Sequence, residues 1–155
     1  PLRRAFFRPQ PGQWQGGSAS LAWEPSDRLE IDYQIDYPGP PTLQQSCHFV
    51  WSPQAFVAEI ASARTFVYLR EVAALRALGL AQGGSRDNAL VIDNTVPGPE
   101  WRWPDEPARH KVLDLLGDLA LLGAFPLARI RACRTGHEAH VTMVKSWLGK
   151  SAHDR

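Results

Sequence analysis

Apolar and polar residues alternate most regularly between positions 29 and 37. Every second residue is aliphatic or aromatic and the residues between are acidic or amide: the two sets are Leu29, Ile31, Tyr33, Ile35, Tyr37 and Glu30, Asp32, Gln34, Asp36. A period of two predicts a strand with one face in the core and one in water, as in an antiparallel sheet. We expect its partner strand at residues 46–51, and a short strand at 18–23.

Helical spacing first appears after Ser52 and Pro53, which suit the N-cap and the first turn of a helix reaching to about residue 63. Beyond it, the pattern predicts a strand, a helix that ends at Gly79, a turn and another strand, at residues 64–69, 70–78, 82–85 and 89–93. Residues 65–93 therefore form a predicted strand–helix–strand insert.

The remaining residues predict two longer helices separated by a strand at 128–133. Asp105 can cap a central helix that runs to Leu122, after a loop at 94–103. The last helix follows Gly136, and its spacing predicts a buried side formed by Val141, Val144 and Leu148.

The first 18 residues are rich in Pro, Gly and Gln and are predicted as an entry segment or an irregular edge. With strands and helices alternating after a hairpin, the chain predicts an α+β fold, a two-layer sandwich, in a single domain over residues 1–155.

Composition narrows the classes of protein. The chain has 155 residues, 44% of them hydrophobic and 21% charged, with a net charge of +1. No basic stripe indicates a nucleic-acid partner, and no apolar run approaches the roughly 20 residues of a membrane span. The two cysteines, Cys47 and Cys133, give no disulfide framework and favour a reducing compartment.

The central helix gathers its charged residues on one side. At about 100° per residue, His110 at 0° is followed by Asp114 at about 40°, Asp118 at about 80° and Lys111 at about 100°. Apolar residues fill the rest of the circumference: Val112, Leu113, Leu115, Leu116, Leu119 and Ala120. This pattern predicts a helix buried all round, whose inward charges must pair or hold a metal ion.

Each polar residue of this helix allows two interpretations. His110 and Asp114, four residues apart, can share a metal ion or simply a hydrogen bond. Asp118 can orient a catalytic histidine or accept an N–H from a loop, and Lys111 can stabilise an oxyanion or lie along the surface. His137, after Gly136, can project into a cleft, although it and His140 are equally compatible with surface histidines.

Four segments taken in order resemble a known family. Residues 63–66, 79–89, 104–119 and 135–137 contain Ala-Arg-Thr-Phe, a Gly-Gly-Ser turn, His-Lys-x-x-x-Asp-x-x-x-Asp and Thr-Gly-His. Together they closely resemble the second half of the UDP-3-O-acyl-N-acetylglucosamine deacetylases, the cytoplasmic zinc amidases of bacterial lipid A biosynthesis.

The resemblance implies a role for each matching residue. His110 and Asp114 would be two of three zinc ligands, and His137 would be the general acid, oriented by Asp118. Lys111 would contact the substrate and stabilise developing charge, and Thr65 would place its hydroxyl at the oxyanion. Phe66 would lie beside the sugar, and the insert would form a passage for the acyl chain, with substrate contacts at Gly84, Ser85, Ala89 and Val91. Val72, Leu75, Leu78, Leu80 and Ala81 would also line it.

The family's first half, with its third histidine ligand and its glutamate base, is not in these residues. The resemblance therefore implies that this chain holds part of an active site and is inactive alone, its partner being that first half within a monomeric enzyme. Arg86 stands where the family usually has an aromatic residue, and His140 where it usually has asparagine. The alternative is a non-catalytic module that keeps the fold and binds a lipid or nucleotide sugar.

Overall fold

Nine strands and four helices follow one another in the computed structural model, which describes residues 5–37, 43–79, 82–85, 87–93 and 101–150. The strands are β1 (Ala5–Phe7), β2 (Gly12–Gly16), β3 (Ala19–Pro25), β4 (Glu30–Asp36), β5 (Gln44–Val50), β6 (Thr65–Tyr68), β7 (Ala89–Ile92), β8 (Ala124–Pro126) and β9 (Ala128–Cys133). The helices are α1 (Pro53–Ala55), α2 (Leu69–Ala77), α3 (Glu106–Ala120) and α4 (His137–Lys150), and α1 continues as a π-helical turn over Phe56–Ile60.

A five-stranded sheet in the order β2-β3-β9-β4-β5 forms one layer of the fold. β4 and β9 are parallel and the other neighbours antiparallel. The alternation that predicted β4 is observed, since Ile31, Tyr33 and Ile35 are buried and Gln34 is exposed.

Helices α3 and α4 form the second layer, against one face of this sheet. Three helix residues are fully buried, with an exposure of 0%: Val112 and Leu115 of α3 and Met143 of α4. They share one core cluster with Ile31 and Ile130 of the sheet. The α+β two-layer prediction is confirmed. Gly123, with a φ of 63°, lies just beyond α3 in the left-handed region that favours glycine.

The predicted insert folds as a strand–helix–strand unit. β6 and β7 pair in parallel, from Thr65 opposite Ala89 to Tyr68 opposite Ile92. One face of this small sheet buries Tyr68, Leu90 and Ile92 in a second core cluster with Leu43. Since side chains alternate along a strand, Thr65 and Ala89 share the other face.

The prediction of an irregular edge is wrong for the described part of the first 18 residues, which includes the strands β1 and β2. β2 lies at one edge of the five-stranded sheet, and β1 pairs with β8, a strand that the pattern also did not predict. Glycine masks the alternation of β2, because Gly12 lies against the ring of Trp23 and Gly16 against that of Trp14. A Cβ atom at Gly12 would come within 2.5 Å of the Trp23 ring.

Two expectations for the helices also need correction. Asp105 occupies the N-cap position of α3, but its side chain makes no capping hydrogen bond and instead pairs with Arg109 at 2.7 Å. In α4, Val144 is buried as expected, whereas Leu148 is 52% exposed and Val141 only partly buried. The buried side consists of Ala139, His140, Met143, Val144 and Trp147.

Candidate active site

The polar residues of α3 lie together and largely out of water. The side chains of His110, Lys111, Asp114 and Asp118 are only 16%, 11%, 19% and 13% exposed. This confirms that the charges of α3 face inward. The helix is not buried all round, however, because Gly117 and Ala120 are exposed and Leu113 and Leu116 only partly buried.

His110 and Asp114 form a pair whose atoms suit a metal ion. The Nε2 atom of His110 lies 3.4 Å from Oδ1 of Asp114. Its Nδ1 atom lies 3.0 Å from the carbonyl oxygen of Ala63. A carbonyl only accepts, so Nδ1 carries the proton and Nε2 is left as the ligand atom, the pattern found behind metal-bound histidines.

Lys111 is bound to the same carboxylate. Its Nζ atom lies 2.7 Å from Oδ2 of Asp114, opposite the oxygen that faces His110. Lys111 is therefore a buried lysine with a fixed partner, which excludes the surface interpretation.

Asp118 binds two histidines of α4 through a single oxygen. Nδ1 of His137 and Nδ1 of His140 each lie 2.8 Å from Oδ2 of Asp118. His137 is exposed over 66% of its side chain, whereas His140 has an exposure of 0%. The surface interpretation is thus wrong for His140: the neighbouring helix and sheet enclose it, and burial lowers its pKa despite the Asp118 carboxylate.

A tight turn between β9 and α4 positions His137. Arg134 has a φ of 54°, in the left-handed region that few non-glycine residues adopt. Its backbone N–H donates to the carbonyl of Gln34 at 2.9 Å, and its guanidinium pairs with Asp36. Both contacts attach the turn to β4, so that α4 begins at His137 beside α3.

A buried carboxylate joins the start of α3 to the insert. Glu106 has 0% exposure and accepts hydrogen bonds from the backbone N–H and guanidinium of Arg64 and from the backbone N–H of Arg102. Burial alone would raise the pKa of Glu106, but these hydrogen bonds outweigh it and hold that pKa below 4.5. Nothing local in the sequence indicates this pairing, because 42 residues separate Arg64 from Glu106.

The expected substrate residues lie on the insert. Thr65 is exposed at the start of β6, and Phe66 packs edge-on against Tyr37 with ring centres 5.3 Å apart. Gly84 and Ser85 are exposed in the turn, Ala89 is half-buried, and Val91 is 41% exposed. Leu78 is 74% exposed on the helix side, while Val72 and Leu75 are half-buried. Leu80, Ala81 and Arg86 lie outside the described residues.

An apolar groove runs beside the exposed side of α3. It encloses about 840 Å³ and is lined on α3 by Leu113, Leu116, Gly117 and Ala120. Phe56 and Val57 of the π-helical turn and Phe125 of β8 line the opposite wall. Val57 is 70% exposed, which is unusual for a valine beside so much other apolar surface.

Two groups of described residues have donors that suit a metal ion. One is the His110–Asp114 pair, and the other comprises Asp118, His137 and His140, whose ligand atoms lie within 4.8 Å of one another. In the second group, the Nδ1 atoms of both histidines and the Asp118 oxygen are already joined by hydrogen bonds. In the first group, Nε2 of His110 carries no proton and its lone pair is available to a metal ion. The His110–Asp114 pair therefore fits an ion without rearrangement of its hydrogen bonds.

Of the helices in the described part, none is both long and apolar enough to cross a membrane.

The fold and the site together indicate a class of protein. An α+β domain carries nitrogen and oxygen atoms that suit a metal ion beside an Asp–His pair, and this combination is typical of hydrolases that use a metal ion. The model of the family LpxC, UDP-3-O-acyl N-acetylglycosamine deacetylase, matches residues 3–148. The chain belongs to this family, as the resemblance in its motifs predicted.

Relatives that bear the family's name occur in several organisms. The chain is 41% identical over 148 residues to the UDP-3-O-acyl-N-acetylglucosamine deacetylase of Anaeromyxobacter sp. strain Fw109-5, covering 94% of this chain and 49% of the relative. The enzymes of that name from Thermosynechococcus vestitus and Chlamydia abortus are each 40% identical, over 93% and 90% of this chain and 50% and 51% of theirs. The chain spans about half the length of the curated relatives it matches.

Proposed function

We propose that this chain is the second half of a zinc-dependent deacetylase, which hydrolyses the acetamide of UDP-3-O-acyl-N-acetylglucosamine during lipid A biosynthesis in the bacterial cytoplasm. The observation that carries the proposal is the position of two pairs along α3. His110 pairs with Asp114 within the helix, and Asp118, one turn after Asp114, pairs with His137 of α4. Membership of the deacetylase family supports this assignment of their chemistry.

His110 and Asp114 would hold the zinc ion, with Nε2 and a carboxylate oxygen as ligands. The hydrogen bond from Nδ1 to Ala63 supports this assignment because it fixes the ring and the tautomer that a ligand needs. When bound, zinc supplies a Lewis acid for the acetamide carbonyl and lowers the pKa of a water molecule.

His137 would protonate the departing amine. Its Nδ1 proton is donated to Asp118, which leaves Nε2 as the atom that can carry a proton to substrate. The Asp118 carboxylate accepts this hydrogen bond and keeps the ring oriented. In the overall step water adds to the carbonyl carbon, the C–N bond breaks, and acetate and a free amine leave.

Lys111 and Thr65 would stabilise the negative charge that forms on the carbonyl oxygen. Lys111 is held close to the ligand pair by Asp114, and Thr65 follows directly after Arg64, which is fixed by Glu106. A cation and a hydroxyl placed in advance near developing charge accelerate acyl transfer. Phe66 would contact the sugar.

The insert would receive the acyl chain. Thr65 and Ala89 share a face of the small sheet, and Val91 continues that face with 41% of its surface exposed. No residue of α2, which contacts β6, is buried. Exposed apolar side chains in a small unit of this kind are consistent with a lipid-binding passage, entered past the turn at Gly84 and Ser85.

The other half of the enzyme would cover the apolar groove beside α3. The relatives are about twice as long as this chain, and the groove adjoins α3, the helix that carries His110. A segment seated there would bring the third histidine ligand and the glutamate base close to His110 and Asp114. The complete enzyme would need no second copy for its site.

The proposal is tested with the protein encoded by the complete reading frame. Purified protein is incubated with UDP-3-O-acyl-N-acetylglucosamine, and acetate and the free amine are measured by mass spectrometry. We expect one zinc ion per chain and deacetylation that a chelator abolishes and zinc restores. A protein that binds the substrate but releases no acetate at any zinc concentration would instead be a non-catalytic binding module.

A further inference from the structure

His140 has no role in the proposed mechanism, yet both of its ring nitrogens have hydrogen-bond partners. It lies one turn after His137 on α4 and has 0% exposure. Nδ1 is 2.8 Å from Oδ2 of Asp118, while Nε2 is 3.1 Å from the hydroxyl of Tyr33 and 3.2 Å from that of Thr135. Buried imidazoles with partners at both nitrogens cannot rotate without losing hydrogen bonds.

The protons in this cluster can be assigned. An ionised Asp118 only accepts hydrogen bonds, so Nδ1 of His140 carries a proton. Tyr33 donates its hydroxyl proton to the carbonyl of Thr135 at 2.8 Å, so the hydroxyl proton that remains for Nε2 belongs to Thr135, which shares it between Nε2 at 3.2 Å and the Tyr33 oxygen at 2.9 Å. The neutral form of His140 thus satisfies every group in the cluster, and burial favours that form.

The hydrogen-bond network of His140 joins four parts of the fold, and it includes the Oδ2 atom of Asp118. Tyr33 lies on β4, Thr135 in the turn before α4, His140 on α4 and Asp118 on α3. The same Oδ2 atom accepts from Nδ1 of His137, whose side chain is otherwise largely exposed. Movement of Asp118 would therefore release His137.

We propose that His140 is a positioning residue, which holds the Asp118 carboxylate where it orients His137. It does not touch the substrate and binds no metal ion. Its effect on catalysis rests on the proposed function, whereas its effect on the His137 ring does not.

The test compares two substitutions of similar size in the complete protein. His140→Leu removes the donor and leaves the hydroxyls of Thr135 and Tyr33 bound to each other, since they already lie 2.9 Å apart. His140→Asn offers an amide N–H in place of Nδ1. The matched control is His48→Leu, because His48 also donates to a carboxylate, Asp32 at 2.6 Å, on an exposed face of the sheet.

We expect His140→Leu to lower kcat by about 10- to 100-fold with KM within about three-fold, and His140→Asn to recover at least about ten-fold of that loss. The limb of the kcat–pH profile that reports the general acid should shift in His140→Leu and return in His140→Asn. Zinc content should stay at the wild-type value in both. His48→Leu should change none of these quantities.

Nuclear magnetic resonance of ¹⁵N-labelled histidine separates this inference from the proposed function. The Nδ1–H signal of His137 should broaden or vanish in His140→Leu and persist in His140→Asn, even if the wild-type protein releases no acetate. An unchanged His137 signal and kcat in folded His140→Leu would overturn the inference, and so would loss of zinc from both variants. If His140→Leu does not fold, Tyr33→Phe should broaden the Nδ1–H signal of His137 in the same way but more weakly. An unchanged His137 signal in folded Tyr33→Phe would then overturn the inference.

Discussion

The side chains of His110 and Glu106 bind consecutive residues of the segment that leads into the insert. His110 donates to the carbonyl of Ala63, and Glu106 accepts from the backbone N–H of Arg64. Because His110 and Glu106 are one turn apart on α3, the helix fixes this segment at two adjacent points. The position of Thr65 and the orientation of the His110 ring are thereby coupled.

His110→Ala should lose the metal ion. The substitution removes the only nitrogen of the proposed pair, and we expect less than about one-tenth of the wild-type zinc, measured by mass spectrometry of the purified complete protein. His137→Ala should keep its zinc, and His48→Ala is the control for loss of an exposed histidine. Retention of zinc by His110→Ala together with its loss from His137→Ala would place the ion at Asp118 instead.

Glu106→Gln should destabilise the fold and loosen the metal site together. The variant removes the buried carboxylate charge that faces the Arg64 guanidinium, which is only 11% exposed. We expect the free energy of unfolding in urea to fall by about 3 kcal/mol. Because the Arg64 segment then positions Ala63 less well, zinc affinity should fall about ten-fold. A matched control is Glu24→Gln, which breaks an exposed pair with Arg131 and should cost less than about 1 kcal/mol.

Acid should weaken the contact between Glu106 and Arg64 in a defined range of pH. The pKa of Glu106 is lower in the folded chain than its ordinary value of 4.5, so the folded state binds fewer protons than the unfolded state. The resulting stabilisation is complete above pH 4.5 and is lost as the pH falls from there through the folded pKa. Urea titrations should therefore show a steeper loss of stability below pH 4.5 in wild type than in Glu106→Gln. Parallel curves would mean that Glu106 titrates normally.

Local sequence patterns predicted the elements in which the polarity of each residue matches its burial. The strict alternation of Ile31, Tyr33 and Ile35 predicted β4, and the grouping of His110 and Asp114 predicted the inward side of α3. The same reasoning missed β2, because its inward positions include Gly12 and Gly16, which are not apolar side chains. These glycines leave space for the rings of two tryptophans that a Cβ atom would contact.

The roles of His140 and Glu106 depend on partners far away in the chain. Tyr33 lies 107 residues from His140, and no local signal indicates that contact. One signal was present: His140, Val144 and Trp147 recur at helical spacing, which predicts a buried histidine. Val141 and Leu148 suggested a different stripe, and only the packing of α4 against the sheet distinguishes the two.

The apolar groove beside α3 is the surface on which the other half of the protein would dock. Val57 lines the groove and is 70% exposed in this chain, whereas Leu121, just beyond α3, is 68% exposed and does not line it. Val57→Lys should lower the free energy of unfolding of the complete protein by about 2 kcal/mol, because a charge would enter an apolar contact. Leu121→Lys should change it by less than about 0.5 kcal/mol. In the 155-residue chain alone the two variants should differ little, since the groove is then open to water. Equal effects of the two substitutions in the complete protein would mean that another surface of this domain receives the first half.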